Sequence, residues 1–298
     1  MSTTLPPVAL EADTPAVAAP AETLGELRAE LDRLDEQLHD TLMHRATVVE
    51  KVAALKGGVA LRPGREAAII RRLLARHRGA LPRQTIVRIW RELLAGTTAM
   101  QGKFLVTVCD ADPEHALALA AREHFGALTP LRRHRSPAQA IAEVSSGAAA
   151  AAVLPLPADG EPAAAAWWLA LLHRDEPRIH VVGRLPFWTP RPEGAPRVQA
   201  LVVAAIPPDP TDADRSLLGL EVSPELSRAK MVAALTAANL APGPIILRRE
   251  PGAPYAHALI DVEGHVAEAD PRLAALGSVL RAPVVLGAYA VPVGGEPA

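Results

Sequence analysis

The chain has one cysteine, Cys109, in 298 residues. An internal disulfide and a cysteine-rich metal site are both excluded, and a lone thiol suits a reducing cytosol, so a cytoplasmic location is expected. Aromatic residues make up 3% of the chain, too few for the stacking platform that single-stranded nucleic acid requires. Long apolar runs are missing: Ala163–Leu172 is the longest, roughly half of the ~20 residues that span a bilayer. No basic segment precedes an apolar stretch at the N-terminus, so no signal peptide is read there. Charge of one sign is missing too. A formal net charge of -2 removes the global electrostatic case for nucleic acid or a membrane surface. The stretch GVALRPGR lacks the spacing and the Lys-Ser/Thr ending of a phosphate loop. No pair among His39, His44, His77 and His115 has metal-ligand spacing on one helical face, so neither metal nor cofactor is expected.

What is present is unevenly placed. Residues 23–103 hold 15 Arg and Lys against 9 Asp and Glu, while residues 1–22 carry acids only and read as a disordered tail rich in Pro, Ala, Thr and Glu. The basic part coincides with a helical pattern, which suits an anionic ligand. From Leu24 apolar residues step by three and four through Leu27, Leu31, Leu34 and Leu38, then Val48, Val52 and Leu55, as one buried stripe of a long helix would. Between Leu38 and Val48 that rhythm lands on Thr41 and Arg45. A guanidinium on the inward face needs an anion, either a distant carboxylate or a bound ligand. Thr23 with Glu26 forms a capping box at the start of this helix, and Gly57-Gly58 ends it.

Two further helices repeat the oddity. Pro63 opens one with Ile69, Ile70, Leu73 and Leu74 on a face that Glu66 continues, and Gly79 closes it. Pro82 opens another, to about Gly102, with Ile86, Ile89, Trp90, Leu93 and Leu94 on a face that runs on to Thr97 and Gln101. Inward polar groups are costly unless bonded, and a helical core with several of them more often encloses a polar ligand. Arg45 and Lys56 lie on nearly one face, ~16 Å apart along the axis. Arg28 is ~26 Å from Arg45. It is a solvated charge within one chain and reaches the same ligand only if a second copy packs antiparallel.

Beyond the helices, FLVTVC reads as a buried strand, followed by helices at His115–Phe125 and Pro137–Ser146. Strands follow at 150–155 and 179–183, together a small α/β unit. Trp167-Trp168 reads as core or interface, and Pro186–Pro196 as a linker. From Val198 the order is strand (VQALVVAAI), helix (226–239), strand (PIILRR), strand (AHALIDV), helix (270–281), strand (VVLGAY), a split βαββαβ unit of ferredoxin-like type.

ELRAELDRLDEQLHDTLMHR, the VVEKVAALK run, RPGRE and TTAMQ resemble the all-helical class of chorismate mutases over residues 23–103. The resemblance implies three helices in an intertwined homodimer with two shared sites. Its substrate-contacting positions fall on Arg28 (serving the partner's site), Arg45, Lys56, Arg65, Glu66, Thr97 and Gln101. Thr97 replaces a more familiar serine, and Arg62 stands where a carboxylate is often found. The implied reaction is the rearrangement of chorismate to prephenate. It needs no nucleophile or general base, only restraint of a flexible dianion and stabilisation of charge on the breaking ether oxygen. By resemblance Lys56, Gln101, Arg45 and Glu66 are catalytic, and Arg28, Arg45, Arg65 and Thr97 bind substrate.

Residues 104–195 resemble a truncated prephenate dehydratase unit followed by a linker. AAAVLPLP is similar to that family's GVLPIEN stretch, but Pro157 stands in place of the acid. The glycine-rich opening and the Thr-Arg-Phe motif are absent, so dehydratase activity is expected to be lost. Residues 196–298 resemble an ACT domain through LIDVEGHVAEAD and VVLGAYAVP. That implies a regulatory amino acid such as phenylalanine, against which stand ELSRAK and LRREP in place of the ligand-binding turns. The expected fold is thus multidomain: an all-α mutase domain, a truncated α/β unit and an α+β ACT-like domain. Two other readings remain open: a non-enzymatic partner of another aromatic-biosynthesis enzyme, and isochorismate pyruvate lysis on the same helices.

Overall fold

The computed structural model of the chain describes residues 22–56, 61–173, 175–189, 191, 193–276 and 283–294. Residues 1–21 of the expected tail, the Gly57-Gly58 stop and the end of the last expected helix lie outside the described residues. Two compact units divide at Lys51/Val52, inside the first helix, α1 (Leu24–Lys56).

The start of α1 is the capping box its sequence implies. The Thr23 backbone N–H donates to Glu26 Oε2 at 2.8 Å, and the Glu26 N–H donates to Thr23 Oγ1 at 3.3 Å. The leucine stripe is a correction. Leu24, Leu27, Leu31, Leu34, Leu38, Val48, Val52 and Leu55 are all exposed, Leu55 to 87%. Within one chain this face of α1 is not a core. No helix among the described residues is long and apolar enough to cross a membrane.

In the second unit, α2 (Pro63–Arg76) and α3 (Arg83–Ala99) pack on each other and on an α/β body. Pro63 stands at the start of α2, where a missing N–H costs little. A Cβ on Gly64 would meet Asp209 at 2.6 Å, so only glycine lets α2 approach the 209 loop that Arg62 also grips. Ala67, Ile70, Leu74, Val87 and Leu94 form one apolar cluster with Phe187. α2 and α3 therefore share a core with the body. The 186–196 linker is corrected as well: Phe187 is buried, and Trp188 bridges Val293.

The body is a nine-stranded sheet in the order β2-β1-β3-β5-β4-β9-β6-β8-β7. The strands are β1 (Val106–Cys109), β2 (Leu131–His134), β3 (Ala151–Pro155), β4 (His180–Leu185), β5 (Ala200–Ala204), β6 (Asp214–Val222), β7 (Pro242–Arg248), β8 (Ala256–Glu263) and β9 (Val284–Ala290). β1 lies parallel between β2 and β3, and all four of its residues are buried, as expected of a parallel strand covered on both faces. Alternation sorts its side chains. Val106 and Val108 face the cluster holding Leu117 and Phe125 of α4 (Ala116–Phe125). Cys109 faces the cluster holding Ile141 and Val144 of α5 (Pro137–Ser145).

β5 pairs antiparallel with both β3 and β4. The α/β unit therefore extends past residue 195, and the split unit begins at β6. That strand, with α6 (Arg228–Ala237), β7, β8, α7 (Pro271–Ala274) and β9, makes βαββαβ with the sheet order first, third and second strand beside the fourth. The ferredoxin-like topology read from sequence holds, with its first strand at β6 and not at VQALVVAAI.

The two halves of the sheet meet at β4 and β9, in the single register pair Val181↔Gly287. Gly287 has φ +140°, and a Cβ there would stand 2.1 Å from the Val181 carbonyl oxygen. Only glycine fits both the backbone conformation and the approach. Gly287→Ala is expected to lower the melting temperature by roughly 5–10 °C, read by calorimetry or circular dichroism.

Candidate active site

The most buried charges on the helices are a pair between α2 and α3. Arg91 Nη1 donates to Glu66 Oε2 at 3.0 Å, with the two side chains 5% and 13% exposed. The same nitrogen lies 3.4 Å from His124 Nε2 on α4. The guanidinium carbon sits 4.9 Å from the Phe187 ring centroid, within cation–π range. Burial pushes the Glu66 carboxyl above its ordinary value, and the Arg91 charge pulls it back. Burial, then the Arg91 charge, holds His124 well below the ordinary imidazole value. His124 is therefore neutral at neutral pH, and its Nε2 accepts from Arg91. An arginine does not give up its proton, so Arg91 stays charged.

The other residues expected at the site are placed as follows. Arg28 is exposed and Arg45 half-buried, both on α1 in the first unit. Lys56 is the last residue of α1; its side chain lies outside the described residues. Arg65 is exposed in the first turn of α2. Thr97 is buried and donates its hydroxyl to the carbonyls of Leu93 and Leu94, at 2.9 and 3.1 Å. Gln101 donates its amide to the Thr97 carbonyl at 3.1 Å. The fold thus brings Thr97 and Gln101 together and gives Glu66 to Arg91. Arg62, where a carboxylate is often found in the resembled family, grips Asp209 through two 2.8 Å bonds.

Arg91 was legible and missed. It falls four residues after Val87 and three before Leu94, and all three are buried with Thr98. The inward face of α3 is this row, while Ile89 is exposed and Ile86, Trp90 and Leu93 are half-buried. A cation on that row is the same signal that singles out Arg45.

Other polar groups have structural partners. A cavity of about 540 Å³ opens between α3, α4 and residues 188–196. None of the seven expected residues lines it, and its Arg122 and Arg191 are bonded to the Ala127 carbonyl and to Glu123. Across the sheet, Arg184 donates to the Tyr289 hydroxyl, which donates to Asp261, which also accepts from Arg215. Trp167 and Trp168 are core residues. At the end of β1 the thiol of Cys109 is pushed up by burial and by Asp110.

The fold defines a helical segment seated on an α/β body that ends in a split βαββαβ unit. Residues 27–102 match the family described as Chorismate mutase type II, so the chain carries a domain of that family in its N-terminal part. The bifunctional chorismate mutase/prephenate dehydratase of Stutzerimonas stutzeri is 27% identical over 144 residues, 46% of this chain and 39% of that protein. The chain thus spans about two fifths of that curated relative's length. Among solved structures, the quorum quenching acylase GqqA is similar with a TM-score of 0.48 and 21% identity, covering 64% of this chain and 96% of that one. The prephenate dehydratase of Streptococcus mutans is similar with a TM-score of 0.46 and 18% identity, covering 63% and 98%. Likenesses of this degree say nothing about chemistry.

The buried thiol yields a test. Because burial disfavours the thiolate that reacts, Cys109 is expected to resist Ellman's reagent in the native protein. One thiol per chain should titrate at once in guanidinium.

Proposed function

We propose that this chain is a chorismate mutase that acts as a homodimer and converts chorismate to prephenate in phenylalanine and tyrosine biosynthesis. One coincidence carries the reading. The stretch that matches the mutase family holds all seven candidate residues and all but the first three residues of the 33-residue helix α1, whose apolar stripe is exposed. Nine large apolar side chains exposed along one helix are more than a monomer's surface needs. A second copy laid against that face would bury it and bring in a second Arg28.

In the proposed site, Arg45 and Arg28 of the partner subunit clamp the two carboxylates, where planar guanidinium forks give bidentate geometry. The dianion is held in its compact shape, which lowers the barrier by orientation. Lys56 and Gln101 donate to the ether oxygen as charge grows there. Arg65 supports the cationic surroundings, Thr97 bonds a carboxylate and Glu66 accepts from the ring hydroxyl. Substrate must displace the bonds that Thr97 and Gln101 make to their own helix. Each is an exchange of one hydrogen bond for another, with little net cost.

The α/β body is proposed to have no dehydratase activity, since the Thr-Arg-Phe motif is absent. The β6–β9 unit supports an ACT-like reading. Its turn is filled by protein: Arg249 donates to the Pro224 and Leu226 carbonyls at 2.7 and 3.0 Å, which disfavours an amino acid in that place. A second reading, a non-enzymatic partner protein, draws on one observation. Glu66, Thr97 and Gln101 are already hydrogen-bonded within their own chain.

Chorismate depletion with product identification separates these readings and also detects pyruvate release. Prephenate is the expected product, from a species of twice the 31.4 kDa chain mass in light scattering. Lys56→Ala should lower kcat by about 10²-fold or more, because its bond strengthens in the transition state. Arg45→Ala should raise KM as well. Unchanged turnover in Lys56→Ala would remove the role given to Lys56.

A further inference from the structure

Glu66 is the only carboxylate among the proposed site residues, and its surroundings are unusual. One oxygen, Oε2, is taken by Arg91. Oε1 receives no hydrogen bond from any described residue, so it remains available to accept from a substrate hydroxyl. The acid sits on α2, its cation on α3, and the two groups that hold the cation come from elsewhere: His124 from α4 and Phe187 from the segment after β4.

We propose that Arg91 is the positioning residue that presents Glu66 to the substrate hydroxyl, and that the α/β body holds Arg91 in place through His124 and Phe187. The inference rests on the mutase reading. It assigns a catalytic use to the body even where its own chemistry is lost.

Three features fix the Arg91 head. An arginine side chain has several rotatable bonds, and a lone ion pair seldom fixes it. Here its head is bonded on one edge by a carboxylate, approached on the same nitrogen by an imidazole, and covered on a face by a ring. Second, His124 is neutral, so it adds an acceptor without a competing charge. Third, the other charges nearby are committed. Glu123 of α4, which also favours the Arg91 charge, is paired with Arg191. Arg71 of α2, 5.9 Å from the Phe187 centroid, is bonded to Thr211, Ala213 and Val291. Among the described residues, Arg91 is the charge that pulls the buried Glu66 toward its ionised form.

Glu66 loses its charge as pH falls through its folded pKa. Burial raises that pKa and Arg91 lowers it. Removing Arg91 leaves burial unopposed, so protonation sets in at higher pH.

The test is the pH profile of kcat and KM in the full chain. In Arg91→Gln the acid limb of kcat/KM should move up by about one pH unit or more. Arg91→Lys, which keeps the charge, should restore most of the limb, and His124→Gln, whose amide oxygen still accepts, should leave it unmoved. A folded Arg91→Gln protein whose profile superimposes on the parent's would overturn the proposal, as would Arg91→Gln and Arg91→Lys impaired alike at every pH. Should Arg91→Gln not fold, Phe187→Leu carries the test. A smaller shift in the same direction supports the proposal, and a superimposable profile ends it. Absence of mutase turnover in the unaltered chain would instead remove the mutase reading and this assignment together. An active parent with an unmoved variant removes only the assignment.

Discussion

The structure turns on how two half-sheets become one. β4 closes the α/β half, β9 closes the βαββαβ half, and they touch in parallel through Val181 and Gly287. A parallel contact this short supplies few backbone bonds. Side chains supply the rest: Arg184 of β4 reaches the Tyr289 hydroxyl of β9, and Tyr289 reaches Asp261 of β8. Burial pushes Asp261 up, while Tyr289, Arg215 and Arg184 draw it back. A buried polar chain of this kind is stable only when each member is satisfied. It therefore specifies one register for the join.

That join builds the platform for the helices. α2 packs against both β9 and β4, so its seat exists only once the half-sheets are side by side. Arg71 anchors it there, on the carbonyls of Ala213 and Val291 before β6 and after β9. α3 follows, pinned to α4 by Arg91 and to the turn after α4 by Glu92, whose carboxylate accepts from the Ala127 N–H. α2 and α3 are in this way part of the body's core, and the buried acid on α2 is held partly by residues outside the matched stretch. α1 differs. Its capping box is formed, yet its large apolar side chains are exposed.

Much of the fold could be read without coordinates, and the failures have specific causes. Thr23 with Glu26, Pro63 and Pro82 mark helix starts because capping is local chemistry among residues a few positions apart. FLVTVC and AHALIDV stand out because strands buried on both faces need continuous apolar runs. β2 (LRRH) was missed because an edge strand of four residues, with its two arginines exposed, carries no such run. β6 (DRSLLGLEV) was missed because it opens on charge and is broken by Gly219, beside which Leu172 and Leu286 pack. Residues 186–196 looked like a linker because proline content says nothing about whether Phe187 finds a cation to cover.

The sequence by itself determined where helices begin and where buried strands lie, the βαββαβ order, and the set of cations and polar groups on the mutase-like helices. Each of those is written in the identity and spacing of neighbours along the chain. Tertiary structure alone decided that Glu66 faces Arg91, that Thr97 and Gln101 both bond carbonyls of α3, and that the leucines of α1 are exposed. A periodic pattern names the face that must leave water. It does not name the surface that receives it, because that surface is assembled from residues far away in the chain.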